Sequence, residues 1–337
     1  MNAGRKMIGK NSVSKTNQAL DLDLTIVNRD EFLDLFYEPV DFCVNRRTKC
    51  KLSVMKIESG NFILDQLYDA LADASLSYVL SRKELDKFLR DPKFAMSVTN
   101  KVRAKFQSPN DTNGEGGEVL LYALLEAVTG APKLLSKMGL KTNNEMPVFG
   151  SDGLHILKTD DKNYQLIFGE SKMYGDLGQA ISNAFKSMHE ASTNNFINDK
   201  TLVAPQLMRE SVSEQQLDYL EKVLIPPPGA GMSPPKQAFG VFVAFDIDVD
   251  DYELEAHSDD QIETEFLARA RAAMESKIPL ITKKISHFGF GAVPFHIFAI
   301  PFLKRTVNGQ QTGAAVSRKA IQRRLRFGYI SENEDVA

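Results

Sequence analysis

Two periods alternate along this chain. Leu22–Val27 and Phe42–Ile57 alternate apolar and polar positions, Lys51–Ile57 most clearly, and predict strands. From Asn61 to Leu80 the apolar positions Ile63, Leu64, Leu67, Leu71 and Leu76 recur at helical spacing. A second helix, Ser81–Leu89, opens on Ser81 as cap and stops before Asp91–Pro92, and Phe94–Phe106 reads as a third. After a Gly-, Asn- and Asp-rich loop at Asn110–Gly117 comes a helix over Glu118–Thr129. Its apolar residues cover most of the circumference, so it is expected to be deeply buried, with Gly130–Pro132 ending it.

Pro147–Leu157 and Tyr164–Ser171 follow as strands around the turn Thr159–Asn163. Gly175–Glu190 is a helix with Leu177, Ile181, Ala184, Phe185 and Met188 on one face. A Pro-rich loop at 226–235 precedes the strand Phe239–Ile247, the helix Gln261–Lys277 and the buried strand Val293–Leu303. Strands alternating with helices predict an α/β layered domain. The expected organisation is a loosely docked tail over 1–20, an amino-terminal α/β region over 21–108 and a main domain over 109–330, with a basic segment at 316–328.

Composition excludes several classes. Apolar residues at 43% and charged residues at 25% are ordinary for a soluble globular protein. No apolar run is long enough to cross a bilayer, and Met1–Asn17 lacks the apolar segment of a secretory signal. Cys43 and Cys50 make neither a disulfide framework nor a zinc site, so a cytoplasmic protein is expected. The net charge of −3 conceals two opposite fields. Asp246–Glu265 carries ten acids and no Lys or Arg, whereas Phe266–Ile330 carries twelve Lys and Arg and one acid. Such asymmetry points to a polyanionic partner.

The candidate chemistry sits on the two central strands. If they pair as a hairpin centred on Asp161, Asp152 falls opposite Glu170, with Cβ atoms about 5 Å apart on one face. Lys172 projects to that face, while Ile167, Gly169 and Ser171 point the other way, into the core. A slip of a single residue would separate the carboxylates. Two carboxylates that close repel unless a cation lies between them. Oxygen ligands with open positions suit Mg2+ or Mn2+, and a lysine beside the metal can stabilise an attacking hydroxide or a charged phosphate. The chemistry expected is metal-assisted hydrolysis of a phosphodiester.

These residues resemble the PD-(D/E)xK nucleases, the restriction-endonuclease-like superfamily, in which an acid on a helix precedes an Asp on one strand and a Glu-x-Lys on the next. Here the positions are Glu118, Asp152 (after Ser151 rather than Pro) and Glu170-Ser171-Lys172, with Gln179 at an auxiliary position on the following helix. The phrases Gly-Glu-Val-Leu-Leu-Tyr at 117–122, Gly-Ser-Asp-Gly-Leu-His at 150–155 and Phe-Gly-Glu-Ser-Lys at 168–172 are similar to the HamA family, nuclease subunits of the Hachiman antiphage defence system. The resemblance implies a restriction-endonuclease-like core, with a central mixed sheet flanked by helices and an amino-terminal α/β elaboration. It also implies a DNA nuclease with little sequence preference, metal at Asp152, Glu170 and Glu118, and restraint by a HamB helicase partner.

Plainer readings compete at each position. Glu170 with Lys172 alone is an ordinary strand pair, and Asp152 in register with Glu118 upstream is what turns it into a site. Glu115 rivals Glu118 but falls in the glycine loop, where a solvated charge needs no explanation. His155 faces away from Asp152, and Asp160 and Asp161 read as turn residues. Gln179 is equally readable as an exposed helix residue, and Tyr174 as a base-stacking or a packed tyrosine. Arg318, Lys319, Arg323, Arg324 and Arg326 could bind DNA phosphates, or form a surface helix that pairs with the acidic stretch or a partner. The alternative function is a non-catalytic DNA- or partner-binding subunit of a defence or repair complex.

Overall fold

The computed structural model describes residues 22–110, 114–136, 138, 151–192, 213–229, 233–307 and 309–329. The expected tail over 1–20, the start of the strand at 147–150 and residues 230–232 of the Pro-rich loop lie outside the described residues.

The chain opens with α1 (Arg29–Leu33), the hairpin β1 (Val40–Asn45) and β2 (Thr48–Leu52), and the short ladder β3 (Ile57–Glu58) and β4 (Asn61–Phe62). Three helices follow, α2 (Leu64–Val79), α3 (Arg82–Arg90) and α4 (Ala95–Arg103). Ser81 caps α3 in a reciprocal capping box with Glu84. Next come α5 (Glu115–Thr129), β5 (Lys133–Ser136), β6 (Gly153–Lys158), β7 (Tyr164–Met173), α6 (Leu177–Ser192) and α7 (Glu214–Leu224). The remainder is β8 (Lys236–Asp248), α8 (Asp259–His287), β9 (Phe295–Lys304) and α9 (Ala314–Phe327).

One seven-stranded mixed sheet runs in the order β1-β2-β9-β8-β7-β6-β5. Strands β2, β9, β8 and β7 are mutually parallel, and β7–β6, β6–β5 and β1–β2 are antiparallel. This is the α/β architecture expected, a mixed central sheet flanked by helices. Side chains alternate across it. Gly169 and Gly240 face α5, where added Cβ atoms would meet Leu121 and Leu125. Residues of opposite parity face α6 and α8, as in the Phe185–Phe295 ring stack. Beneath α7, Leu220, Val223 and Leu224 pack on Leu154, Ile156, Tyr164 and Leu166 in a second, smaller cluster.

The structure departs from the sequence expectation in five places. Phe42–Ile57 is divided among β1, β2 and β3, and Lys51–Ile57 crosses from the end of β2 to the start of β3 instead of forming one strand. Leu22–Val27 forms no strand, because a side chain takes backbone donors a strand would have used. The amides of Thr25 and Ile26 each donate to Glu126 Oε2 at 2.6 Å. Helix α5 begins at Glu115, not Glu118. The glycine pair that looked like loop lies inside its first turn. There a Cβ on Gly116 would lie 2.7 Å from Ile321, and one on Gly117 3.2 Å from Ser171 Oγ. Glycine is what lets α5 close on α9 and β7 at once. Helix α8 continues through Pro279 for 29 residues, because Ile262, Phe266, Ala270, Met274, Ile281 and Ile285 keep one buried stripe across the proline. Helix α7 and strand β5 had no counterpart in the sequence reading.

Candidate functional site

The β6–β7 register pairs Gly153 with Gly169, Leu154 with Phe168, and so on to Lys158 with Tyr164, which is the pairing the turn arithmetic requires. The turn itself is held by Asp160, whose Oδ1 accepts from the amides of Lys162 at 2.9 Å and Asn163 at 3.0 Å. Asp152 lies one residue before β6, and its amide donates to the Gly169 carbonyl at 2.9 Å. Its carboxylate closes the end of the ladder: Oδ2 accepts from the Ser171 amide at 2.8 Å and from Ser171 Oγ at 2.9 Å. Ser171 thus faces α5, as expected, yet also fixes Asp152.

Glu170 and Lys172 project from the opposite face of β7, toward α6. Lys172 Nζ donates to Glu170 Oε1 at 2.5 Å, and Ser187 of α6 also hydrogen-bonds Glu170. Asp152 and Glu170 are only 8% and 5% exposed. Burial first, then the Asp152 charge, pushes the Glu170 carboxyl up to about 7, and Lys172 and Ser187 pull it part of the way back. Burial draws the Lys172 ammonium down, but the charges of Glu170 and Asp152 outweigh it and its pKa is raised.

Glu118 comes from the other face of the sheet. It is buried, and Tyr78 of α2 donates to its Oε2 at 3.0 Å while lying 3.4 Å from the Asp152 carbonyl. Burial and the charges of Glu118 and Asp152 hold the Tyr78 phenol protonated, well above its ordinary pKa. Tyr78 therefore joins Glu118 to the Asp152 main chain. Among the described residues, no group of three or more His, Cys, Asp or Glu is arranged to hold a metal ion. What the structure assembles is Asp152 held on Ser171 with Glu118 tied in through Tyr78, and Glu170 with Lys172 from the opposite face of β7, near enough for the Asp152 charge to raise the Glu170 carboxyl. An oxygen-only pair of this kind fits Mg2+, which binds through one or two carboxylates and fills its other positions with water and phosphate.

Other residues fall elsewhere. Glu115 is not solvated. It is buried, and its Oε2 accepts from the Gln107 amide at 2.8 Å and from Gln322 Nε2 at 2.7 Å. This structural duty leaves Glu118 as the α5 acid that faces the site. His155 packs against Tyr122, with Nδ1 2.8 Å from the Ala131 carbonyl. Gln179 is exposed in the first turn of α6, where Asp176 Oδ1 accepts its amide at 2.6 Å. It stands roughly 12 Å along the helix from Ser187. Tyr174 is half-buried against the core.

On α9, Arg318 Nη1 donates to the Met173 carbonyl at 3.3 Å, next to Lys172. Arg324 pairs with Asp65 and Asp69 of α2, and Arg326 donates to the Arg103 carbonyl at 3.2 Å. Lys319 and Arg323 are exposed. Arg324 thus pairs the basic helix with α2, while the acidic stretch meets the start of that helix and nearby cations. Asp246 Oδ1 accepts the Ala314 amide at 2.7 Å, Asp248 meets Lys304 at 3.1 Å, and Asp251 and Glu265 both meet Arg269.

Sequence reasoning missed Tyr78, which reads as one more core aromatic on α2. It also missed Ser187, although a position three residues after the buried Ala184 belongs on the inner face of α6.

Among the described residues no helix is long and apolar enough to cross a membrane. A search of curated proteins finds no match to the chain. The sequence pattern of the HamA family matches residues 30–308, a span that contains Glu118, Asp152, Glu170 and Lys172. The chain belongs to the HamA family, that of the Hachiman antiphage defence system.

Proposed function

We propose that this chain is the nuclease of its defence system, hydrolysing phosphodiester bonds in DNA with Mg2+ or Mn2+ and with little sequence preference. The observation that carries the reading is that Asp152 and Glu170 are both buried and near enough for the charge of the first to raise the carboxyl of the second, with Lys172 2.5 Å from Glu170. A divalent cation bound there supplies a polarised phosphoryl oxygen and a water acidic enough to attack at neutral pH. Asp152, held by both the amide and the hydroxyl of Ser171, and Glu170, held by Ser187, would be its protein ligands. Glu118, fixed by Tyr78, would reach it through water. Lys172 sets a positive charge where the pentavalent phosphate gains negative charge. Arg318 adds a cation at the end of β7, and the exposed Lys319 and Arg323 give α9 a face for DNA phosphates.

An unrestrained nuclease of this kind would damage its host, so we assign the restraint to a helicase partner, in cytoplasm. Glu170→Ala and Lys172→Ala are expected to abolish plasmid cleavage in Mg2+ without loss of folding. Undiminished cleavage by both variants would falsify the assignment. The short Lys172–Glu170 ion pair favours a second reading, a non-catalytic subunit with a structural network at this position. Saturable Mg2+ binding that disappears with Asp152→Asn supports the nuclease, and a chain indifferent to Mg2+ supports the network. Co-purification of a helicase-sized ATPase with the tagged chain supports the restraint, and a chain that purifies alone and cuts at full rate removes it.

A further inference from the structure

The parallel strands β7, β8 and β9 begin at the end of the sheet opposite Lys172. There the β1–β2 turn, the β6–β7 turn and the starts of β8 and β9 surround a cavity of about 650 Å3. Arg46, Arg47, Lys49, Lys158 and Lys236 line it, against Asp160 as the lining acid. Asp160 is already committed to its turn, accepting the amides of Lys162 and Asn163 and the Asn163 side chain. Lys158 meets Asp161 at 3.5 Å, but that carboxylate is 98% exposed and its pull is screened by water. Arg47 Nη1 reaches the Gly291 carbonyl at 3.3 Å and keeps its remaining donors.

Deeper in the cavity, His296 Nε2 and Gln165 Oε1 stand 2.8 Å apart. Burial and the charge of Lys49 hold the imidazole neutral, with a pKa lowered to about 4. Leu157 and Pro294 supply apolar wall. The cavity therefore has a cationic rim, a fixed hydrogen-bonding pair and an apolar side. Five cations around one concave space repel one another, and an anion carrying several charges relieves that repulsion. The two arginines offer forked donors that match phosphate oxygens, and the volume suits a nucleotide-sized ligand.

We propose that this cavity binds a ligand carrying two or more phosphates in series. The site is separate from the carboxylate pair, since Gln165 lies about 17 Å along β7 from Glu170. Two sources share this chemistry: a free nucleoside polyphosphate and the phosphorylated end of a nucleic-acid strand.

The test is calorimetric titration of the full chain in EDTA, where cleavage is absent and the outcome is independent of the nuclease reading. Tripolyphosphate and ATP are expected to bind saturably. Arg47→Glu and Lys236→Glu should each weaken binding at least about tenfold, or ~1.4 kcal/mol. Lys283→Glu, an exposed change on α8, should leave it unchanged. Competition by a 5′-phosphorylated oligonucleotide but not its 5′-hydroxyl form assigns the strand end, and binding of ATP without such competition assigns the free nucleotide. Absence of saturable binding by tripolyphosphate and ATP, or equal weakening by Lys283→Glu, overturns the proposal.

Discussion

Replacing Glu170 with glutamine separates a metal ligand from a structural ion pair without any activity assay. Glu170 is buried beside Asp152, and burial together with that charge raises its carboxyl from an ordinary value of 4.5 to about 7. The folded chain therefore holds the Glu170 proton more tightly than the unfolded chain. The associated stability is complete below 4.5 and is lost as pH rises through about 7. Above that range the ionised carboxylate costs on the order of 3 kcal/mol relative to the protonated one. Glutamine keeps the volume and an oxygen that can accept from Lys172 and Ser187, but leaves the lysine without a counter-charge, which returns part of the gain. The expected net effect in EDTA at about pH 8 is a stabilisation of roughly 1–3 kcal/mol, shrinking toward zero near pH 5. That corresponds to roughly 1–2 °C in Tm per kcal/mol in a chain of 337 residues. Calorimetric melts across this pH range measure it. Saturating Mg2+ should then raise the Tm of the wild-type chain and leave the variant unchanged. A variant less stable than wild type at every pH would show that the carboxylate stabilises the fold, and the argument for a strained ligand pair would be lost.

Two further perturbations test the packing around the site. Burial lowers the His155 pKa from 6.5 to about 4, so its contribution to stability is complete above 6.5 and falls as acid is added down to about 4. Its share of the acid limb is up to ~1.4 kcal/mol per pH unit, and His155→Asn, which keeps a donor near the Ala131 carbonyl, should flatten urea-unfolding stability by that amount. An unchanged slope would mean that the imidazole titrates normally. Gly240→Ala should destabilise by about 1–3 kcal/mol, because the new methyl would lie 2.9 Å from Leu125 and 3.0 Å from Ile167. A loss below roughly 0.5 kcal/mol would show that α5 is free to move off the sheet.

The hairpin was legible because its constraints are local. The Asp160 turn fixes where β6 ends and β7 begins, period-two alternation fixes the faces, and the register from Gly153 against Gly169 to Lys158 against Tyr164 then follows by counting. Glu126 and Lys133 were illegible for the opposite reason. Each looks like an ordinary solvated charge at its own position, and only distant partners explain its burial. Glu126 Oε1 and Oε2 together accept from Thr25, Ile26 and the Lys133 amide, residues that lie far apart or outside its helix. Lys133 Nζ donates to the carbonyls of Ser77 at 2.6 Å and Leu80 at 2.8 Å. No periodicity in the sequence encodes those contacts. For the same reason β5 could not be read, since a four-residue strand that starts on a buried lysine has no alternating signature.

Those two buried charges also decide what the amino-terminal third contributes. A cation among the last carbonyls of α2 satisfies groups that a helix end leaves open and is favoured by the helix dipole. By gripping Ser77 and Leu80, Lys133 fixes the turn that carries Tyr78 relative to β5, and β5 is paired to β6 just beyond Asp152. Glu126 anchors the same region from the other side, tying the start of β5 and residues 25–26 to α5, the helix that carries Glu118. Tyr78, Glu118 and the Asp152 main chain therefore meet because α2, α5 and β5 are locked together by these ionic groups, and Lys133 itself lines the small cavity that Tyr78, Glu118 and Asp152 share. A chain truncated before α5 would keep Asp152, Glu170 and Lys172 in its sequence, yet it would lose Tyr78 and the carbonyls that hold Lys133. The region over 22–108 is thus part of the framework that positions the candidate ligands.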